Sequence, residues 1–360
     1  IISKLGWYGT FILPKHLYEG TDLATNPANQ NPVGTGPFKF ESYESGVAVT
    51  LVRNDDFFGP KAKLDKLIFS IIPDQNTAYQ AFLNGEVDYL GTGVPIANQD
   101  DLDDDENYRV TEELWQNRTY VTFNFDDEKY QDVRVRQAIA MGCDRPGIQE
   151  RAGGGGSVYA ETFISPLQTD YVDESIKMPD RDIEGAKALL EDAGYEADEN
   201  GVYFETTLDT FTGFDDVAVV FQANMREIGV EVELNIIEYA AWADKVKDAR
   251  NFELTMLAGY QGPDVSGVNP RVRTGASSNT GGYSNPELDE LLDEGLKESD
   301  LEKRREIYVE VQKIMQEDMP LVLLVDNGGK FPIPTYLADA PDDRPDVAAS
   351  SEFTYTYFVD

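Results

Sequence analysis

The chain has 360 residues, 41% of them apolar, which suits two domains with real cores and argues against disorder as the main state. Lys and Arg number 30 against 67 Asp and Glu, a net charge of −37, and so acidic a surface repels phosphate backbones and anionic lipid, which argues against nucleic-acid binding. One cysteine, Cys143, and one histidine, His16, leave no intramolecular disulfide, too few ligands for a Cys/His zinc site and one imidazole for any nucleophilic triad.

The acids are dispersed along the chain rather than gathered in a tail. That pattern suits a protein built for molar salt, where self-repulsion is screened. A cation buffer or an acidic partner surface is the alternative. No apolar run is long enough for a membrane-spanning helix, and no secretory signal is visible. Without an initiator Met, the chain reads as processed or truncated.

In chain order, residues 1–30 lack a period, with loops at Asn26-Pro27 and Asn31-Pro32. Strands are predicted over 38–43, 47–54 and 66–72, then a short helix over 77–84 and a short strand over 87–90. Two further strands, 109–114 and 119–125, flank Trp115-Gln116-Asn117. From residue 130 helix and strand alternate. Helices are predicted over 132–142, from a cap at Asp182 to Gly194, over 215–228 and over 239–249. Strand 230–237 alternates Val230, Val232, Leu234 and Ile236 with polar residues, and a further strand covers 252–257. Asn285-Pro286 opens one helix. A Ser299-x-x-Glu302 capping box opens another, burying Ile307, Tyr308, Val311, Ile314 and Met315. An apolar strand follows over 321–325, a loop-like tail over 332–345 and a β-prone end over 353–359. The alternation implies βαβ units and a mostly parallel sheet in the second part.

The chemical motifs are weak. Gly34-Thr35-Gly36-Pro37-Phe38-Lys39 begins like a dinucleotide loop but ends in Lys, with no helix behind it. Gly153–Gly156 lacks the Lys-Ser/Thr of a phosphate loop and reads as a flexible crossover. Asp101-x-Asp103-x-Asp105 with Glu112 imitates a calcium loop, but Glu106 stands where the sharp turn needs Gly. Asn117-Arg118-Thr119 has the glycosylation pattern, a common chance match. His16 reads as structural rather than as a catalytic base. Paired carboxylates are too many to single out a glycosidase pair.

Gly259-Tyr260-Gln261-Gly262-Pro263-Asp264 is the segment with ligand chemistry. It follows a predicted strand, and open α/β sheets bind ligands beyond the carboxyl ends of their strands. It offers an aromatic face, backbone groups beside glycine, and one carboxylate. A solvent-exposed turn is the other reading.

Five runs stand in order: Ile12-Leu13-Pro14-Lys15-His16, Asn31-Pro32-Val33-Gly34-Thr35-Gly36-Pro37-Phe38, Asn84-Gly85-Glu86-Val87-Asp88, Asp132-Val133-Arg134-Val135-Arg136-Gln137-Ala138-Ile139, and Gly282-Tyr283-Ser284-Asn285-Pro286-Glu287-Leu288-Asp289. Together they resemble the dipeptide/oligopeptide-binding proteins of ABC importers, the family 5 solute-binding proteins. The resemblance implies an α/β, periplasmic-binding-protein-like two-lobe fold of type II, with lobe one incomplete at the N-terminus. It implies that residues 1–30 end an inserted subdomain, that 31–122 and 326–360 form lobe one, and that 123–325 form lobe two. The chain would cross between lobes near 122–124 and 325–327.

The resemblance also implies a monomer outside the cytoplasm, anchored through a preceding segment, with no cofactor or metal and no catalysis. It would hold a short peptide or other small solute between the lobes and present it to ABC permease subunits. The implied ligand-binding residues are Gly259, Tyr260, Gln261 and Asp264, the last meeting the peptide's α-ammonium, with Trp115, Asn117 and Arg271 beside them. Tyr260 stands where the family has Trp, and one further residue separates it from Asp264. Arg271 and Arg273 could bind a carboxylate or offset nearby acids. An oligosaccharide, stacking on Tyr260 and Trp115, is the alternative ligand. A carboxylate-based hydrolase is a third reading.

Overall fold

The computed structural model describes residues 12–341 and 353–359, and of Tyr260 the backbone alone. Predictions that fall on 1–11 and on 342–352 lie outside the described residues. The chain forms two compact units. One is Leu114–Gly328; the other, among the described residues, is 12–113 with 329–341 and 353–359. The units therefore divide after Glu113 and after Gly328.

The second unit opens with an antiparallel meander of β1 (Phe38–Glu44), β2 (Ala48–Arg53) and β3 (Lys66–Ser70). Helix α1 (Gln75–Leu83) starts at Asp74, whose carboxylate accepts the Thr77 amide at 2.7 Å. It buries Ala78, Tyr79 and Phe82 with Leu90, Val94 and Leu102. Residues 87–90, expected as a strand, run irregularly past this helix, because Leu90 is held by the small core and not by a ladder. The Asp103 and Glu112 carboxylates of the calcium-like loop face Lys330, at 2.6 and 3.9 Å. The first residues of β4 (Tyr108–Phe123) belong to this unit.

The first unit is built on a six-stranded sheet ordered β5-β9-β4-β8-β6-β7. Its other strands are β5 (Val158–Tyr159), β6 (Phe204–Phe211), β7 (Val230–Ile237), β8 (Leu254–Tyr260) and β9 (Leu321–Pro334). Strand β6 pairs parallel with β7 and β8, whereas β4–β8 and β5–β9 are antiparallel. The sheet is thus mixed rather than mostly parallel: its parallel pairs are confined to β6 with β7 and β8, while β8 meets β4 and β9 meets β5 in antiparallel fashion. The two strands expected around Trp115-Gln116-Asn117 are one, since backbone pairing runs through them: Asn117 is opposite Tyr260, and the Gln116 carbonyl accepts the Gln261 amide at 2.7 Å. Pro332–Pro334, expected as loop, end β9.

The helices are α2 (Val133–Gly142), α3 (Arg145–Ala152), α4 (Ile183–Asp192), α5 (Asp215–Glu227), α6 (Tyr239–Trp242), α7 (Asn269–Val272), α8 (Pro286–Lys297) and α9 (Leu301–Asp318). Helix α5 crosses from β6 to β7 and buries Val217, Ala218, Phe221 and Met225, the spacing of one helical face. Burial of each large side chain contributes about 1.5–3 kcal/mol. The predicted helix over 239–249 is α6 followed by a π-helical turn, Ala243–Asp248. The predicted box at Ser299 is shifted by one residue. Asp300 is the cap, accepting the Lys303 amide at 3.1 Å, and Glu298 takes the amides of Ser299 and Asp300.

Candidate functional site

The end of the β4–β8 ladder brings most of the candidate residues together. In register, Asn117 is opposite Tyr260 and Arg118 opposite Gly259. The side chain of Tyr260 lies outside what the structure describes. Trp115 and Asn117 are two apart on β4, so both project from one face of the sheet. Asn117 is half-buried and accepts from Asn327 Nδ2 at 3.1 Å, while Asn327 Oδ1 accepts from Thr119 at 3.0 Å. The glycosylation-like tripeptide therefore sits inside a strand, with Arg118 and Thr119 buried.

Strand β8 has two unlike edges. Toward β4 it is paired from Leu254 to Tyr260, but toward β6 only at Leu254 and Thr255. Among the described residues, no strand lies in register with the β6-side edge of residues 257–260. Backbone groups there can serve an extended chain.

Past the strand the chain turns sharply. Gln261 is buried, and its carbonyl approaches Gly267 so closely that a Cβ there would lie 1.4 Å away. Gly259 is crossed by Arg271, whose Nη2 would stand 2.1 Å from a Cβ at that position. Arg271, on α7, donates to the Gly267 carbonyl at 2.8 Å. Arg273 points elsewhere and pairs with Asp293 at 2.5 Å, offsetting an acid as one of its two sequence readings has it.

Asp264 is the cap of the 3-10 turn Val265–Val268. Its Oδ1 accepts the Ser266 amide at 3.0 Å and hydroxyl at 2.5 Å. Arg304 of α9 closes on the same carboxylate in bidentate fashion, Nη2 to Oδ1 at 2.7 Å and Nη1 to Oδ2 at 2.9 Å. The guanidinium also donates to the Gly295 carbonyl at 2.8 Å and the Tyr171 hydroxyl at 3.2 Å, and lies over the rings of Tyr171 and Tyr308. Burial opposes ionisation of Asp264, yet hydrogen bonds from Arg304 and Ser266 outweigh it and hold the carboxyl well below the usual range. The side chains are 13% and 16% exposed.

On β4 and β9, Arg118 and Asp326 form an ion pair with side chains 0% and 1% exposed. Arg118 also donates to the carbonyls of Thr162 and Phe163 at 2.7 and 2.9 Å. Burial raises the Asp326 pKa, and the Arg118 charge opposes that rise.

The remaining chemistry-bearing residues are inert or remote. Burial pushes the Cys143 thiol up to about 12, and its Sγ donates to the Ile139 carbonyl at 3.3 Å. His16, read from sequence as structural, is exposed on the single helical turn Lys15–Tyr18. Sequence reasoning missed Arg304, Tyr171, Ser266 and the Arg118–Asp326 pair. In the sequence Arg304 is one of the charges in Glu302-Lys303-Arg304-Arg305-Glu306, and nothing near it names Asp264 as partner.

Comparison with known proteins agrees with this architecture. The family described as bacterial extracellular solute-binding proteins, family 5 Middle, matches residues 5–281. The oligopeptide-binding protein AppA of Bacillus subtilis is 28% identical over 334 residues, covering 88% of this chain and 61% of its own. The heme-binding protein A of Haemophilus influenzae is 29% identical over 316 residues, covering 85% of this chain and 56% of its own. This chain thus spans under two thirds of either relative. The crystal structure of AppA from Clostridium difficile is 26% identical and superposes with a TM-score of 0.83, covering 96% of this chain and 72% of that one.

Proposed function

The chain belongs to the bacterial extracellular solute-binding proteins of family 5, and from that premise we propose that it captures short peptides and delivers them to the permease of an ABC importer. The observation that carries the reading is the β6-side edge of β8, which over residues 257–260 has no partner strand among the described residues. An extended peptide can bond to such an edge through its main chain alone, which gives affinity with loose side-chain selectivity. The backbone groups of Ala258 and Tyr260 face that edge, because Gln261 turns its amide to the Gln116 carbonyl of β4 and the groups alternate in direction along a strand. Gly259 and Gln261 flank them, with Trp115 and Asn117 across the ladder on β4, Arg271 packed on Gly259 and Asp264 ordering the turn. The name of the relative AppA, an oligopeptide-binding protein, supports the same reading.

In this reading the protein catalyses nothing and works as a monomer outside the cytoplasm, tethered by a segment beyond these residues. Ligand binding favours one conformation, which the permease subunits recognise. A second solute class stands beside peptides, because a relative of 29% identity, against 28% for AppA, is named for heme. The test is mass spectrometry of small molecules released by acid from protein purified in molar salt. A ladder of short peptides is the expected result; one non-peptide solute would keep the family and replace the ligand.

A further inference from the structure

We propose that Arg304 sets the ligand specificity of the loop after β8: by taking both oxygens of Asp264 it withdraws the loop's carboxylate, so the ligand end that meets this loop carries no free α-ammonium. The inference rests on the solute-binding reading above and narrows its ligand class.

Asp264 is the sole acid between Gly259 and Val268. Three donors already meet its Oδ1, namely the Ser266 amide, the Ser266 hydroxyl and Arg304 Nη2, while Arg304 Nη1 meets Oδ2. An incoming ammonium would have to displace Arg304. That would strand a guanidinium that is 16% exposed and enclosed by Tyr171, Tyr308 and the Gly295 carbonyl. Arg304 is a positioning residue in this scheme, since it acts through Asp264.

The test uses a synthetic pool of random tri- to hexapeptides, one half N-acetylated, offered to the purified protein. Retained peptides are counted by mass spectrometry. Wild type is expected to retain both halves alike. In Arg304→Gln, the freed carboxylate should shift retention toward free amines by about tenfold or more, the scale of one charge-assisted hydrogen bond. Arg304→Lys should return it toward wild type, which a merely structural role would not do. Wild-type preference for free amines by about tenfold overturns the proposal whether or not the variants fold. If neither half is retained, the peptide reading fails. The proposal is then decided on solutes released by acid from the purified protein and treated with an amine-specific tag. Untagged solutes sustain it, and tagged ones overturn it.

Discussion

Arg118 on β4 and Asp326 on β9 form an ion pair shut off from solvent, 208 residues apart in sequence. The pair joins neighbouring strands of the six-stranded sheet, just inside the points where the two units divide. Carbonyls of Thr162 and Phe163 also accept from the guanidinium, so the charge is paired and bonded to the backbone as well.

Removing one member should therefore cost more than removing both. Arg118→Met leaves a buried carboxylate alone and is expected to lower stability by about 3–5 kcal/mol in urea unfolding. Arg118→Met with Asp326→Leu should recover most of that loss. A single variant within about 1 kcal/mol of wild type would show that the pair is not isolated from water.

Asp264 gives a pH prediction with a definite sign. Its folded pKa lies below the unfolded value, so the stabilisation is fully present above the unfolded value and is lost as pH falls through the folded one. Wild type should exceed Asp264→Asn by about 1.5–3 kcal/mol at neutral pH. The gap should hold down to about pH 4 and shrink below it. Calorimetric melts of both proteins against pH measure this, and a gap that widens in acid would contradict the assignment.

The two close-packed glycines of the loop should respond unequally. At Gly259 a methyl group meets the end of a flexible side chain, Arg271, which can swing aside. At Gly267 it meets the Gln261 carbonyl, which cannot move without the backbone. Gly267→Ala should thus lower the melting temperature markedly more than Gly259→Ala. The reverse order would mean that the loop backbone is the softer element.

Cys143 is the sole thiol, and with its pKa pushed up to about 12 by burial it should resist alkylation in the native protein. Labelling by iodoacetamide should follow the unfolding curve. Fast labelling at neutral pH without denaturant would show that α2 opens locally.

The charge of −37 predicts a steep salt response. Self-repulsion among dispersed carboxylates is screened over about 3 Å at molar ionic strength, against about 30 Å at 0.01 M. The unfolding midpoint should climb from low to molar salt. A flat response would remove the reading of adaptation to salt.

Where structure follows from near neighbours, the sequence alone determined it. The hairpin of β1 and β2, the caps at Asp182 and Asn285, the apolar face of α5 and the alternation of β7 all rest on residues a few positions apart. So did the resemblance to a family, through short runs that keep their order. Strand β6 escaped, because its interior holds Thr206, Asp209 and Thr210, polar residues that look solvated until their partners are known. Asp209 is buried because Lys245 reaches it from the π-helical turn and Asn235 from β7. The loop after β8 was legible as a candidate from its glycines and its place behind a strand. That its carboxylate is already held by Arg304, 40 residues further on, was not. Such pairings depend on which strands and helices become neighbours, and the burial that makes them strong exists only once the sheet has closed around them.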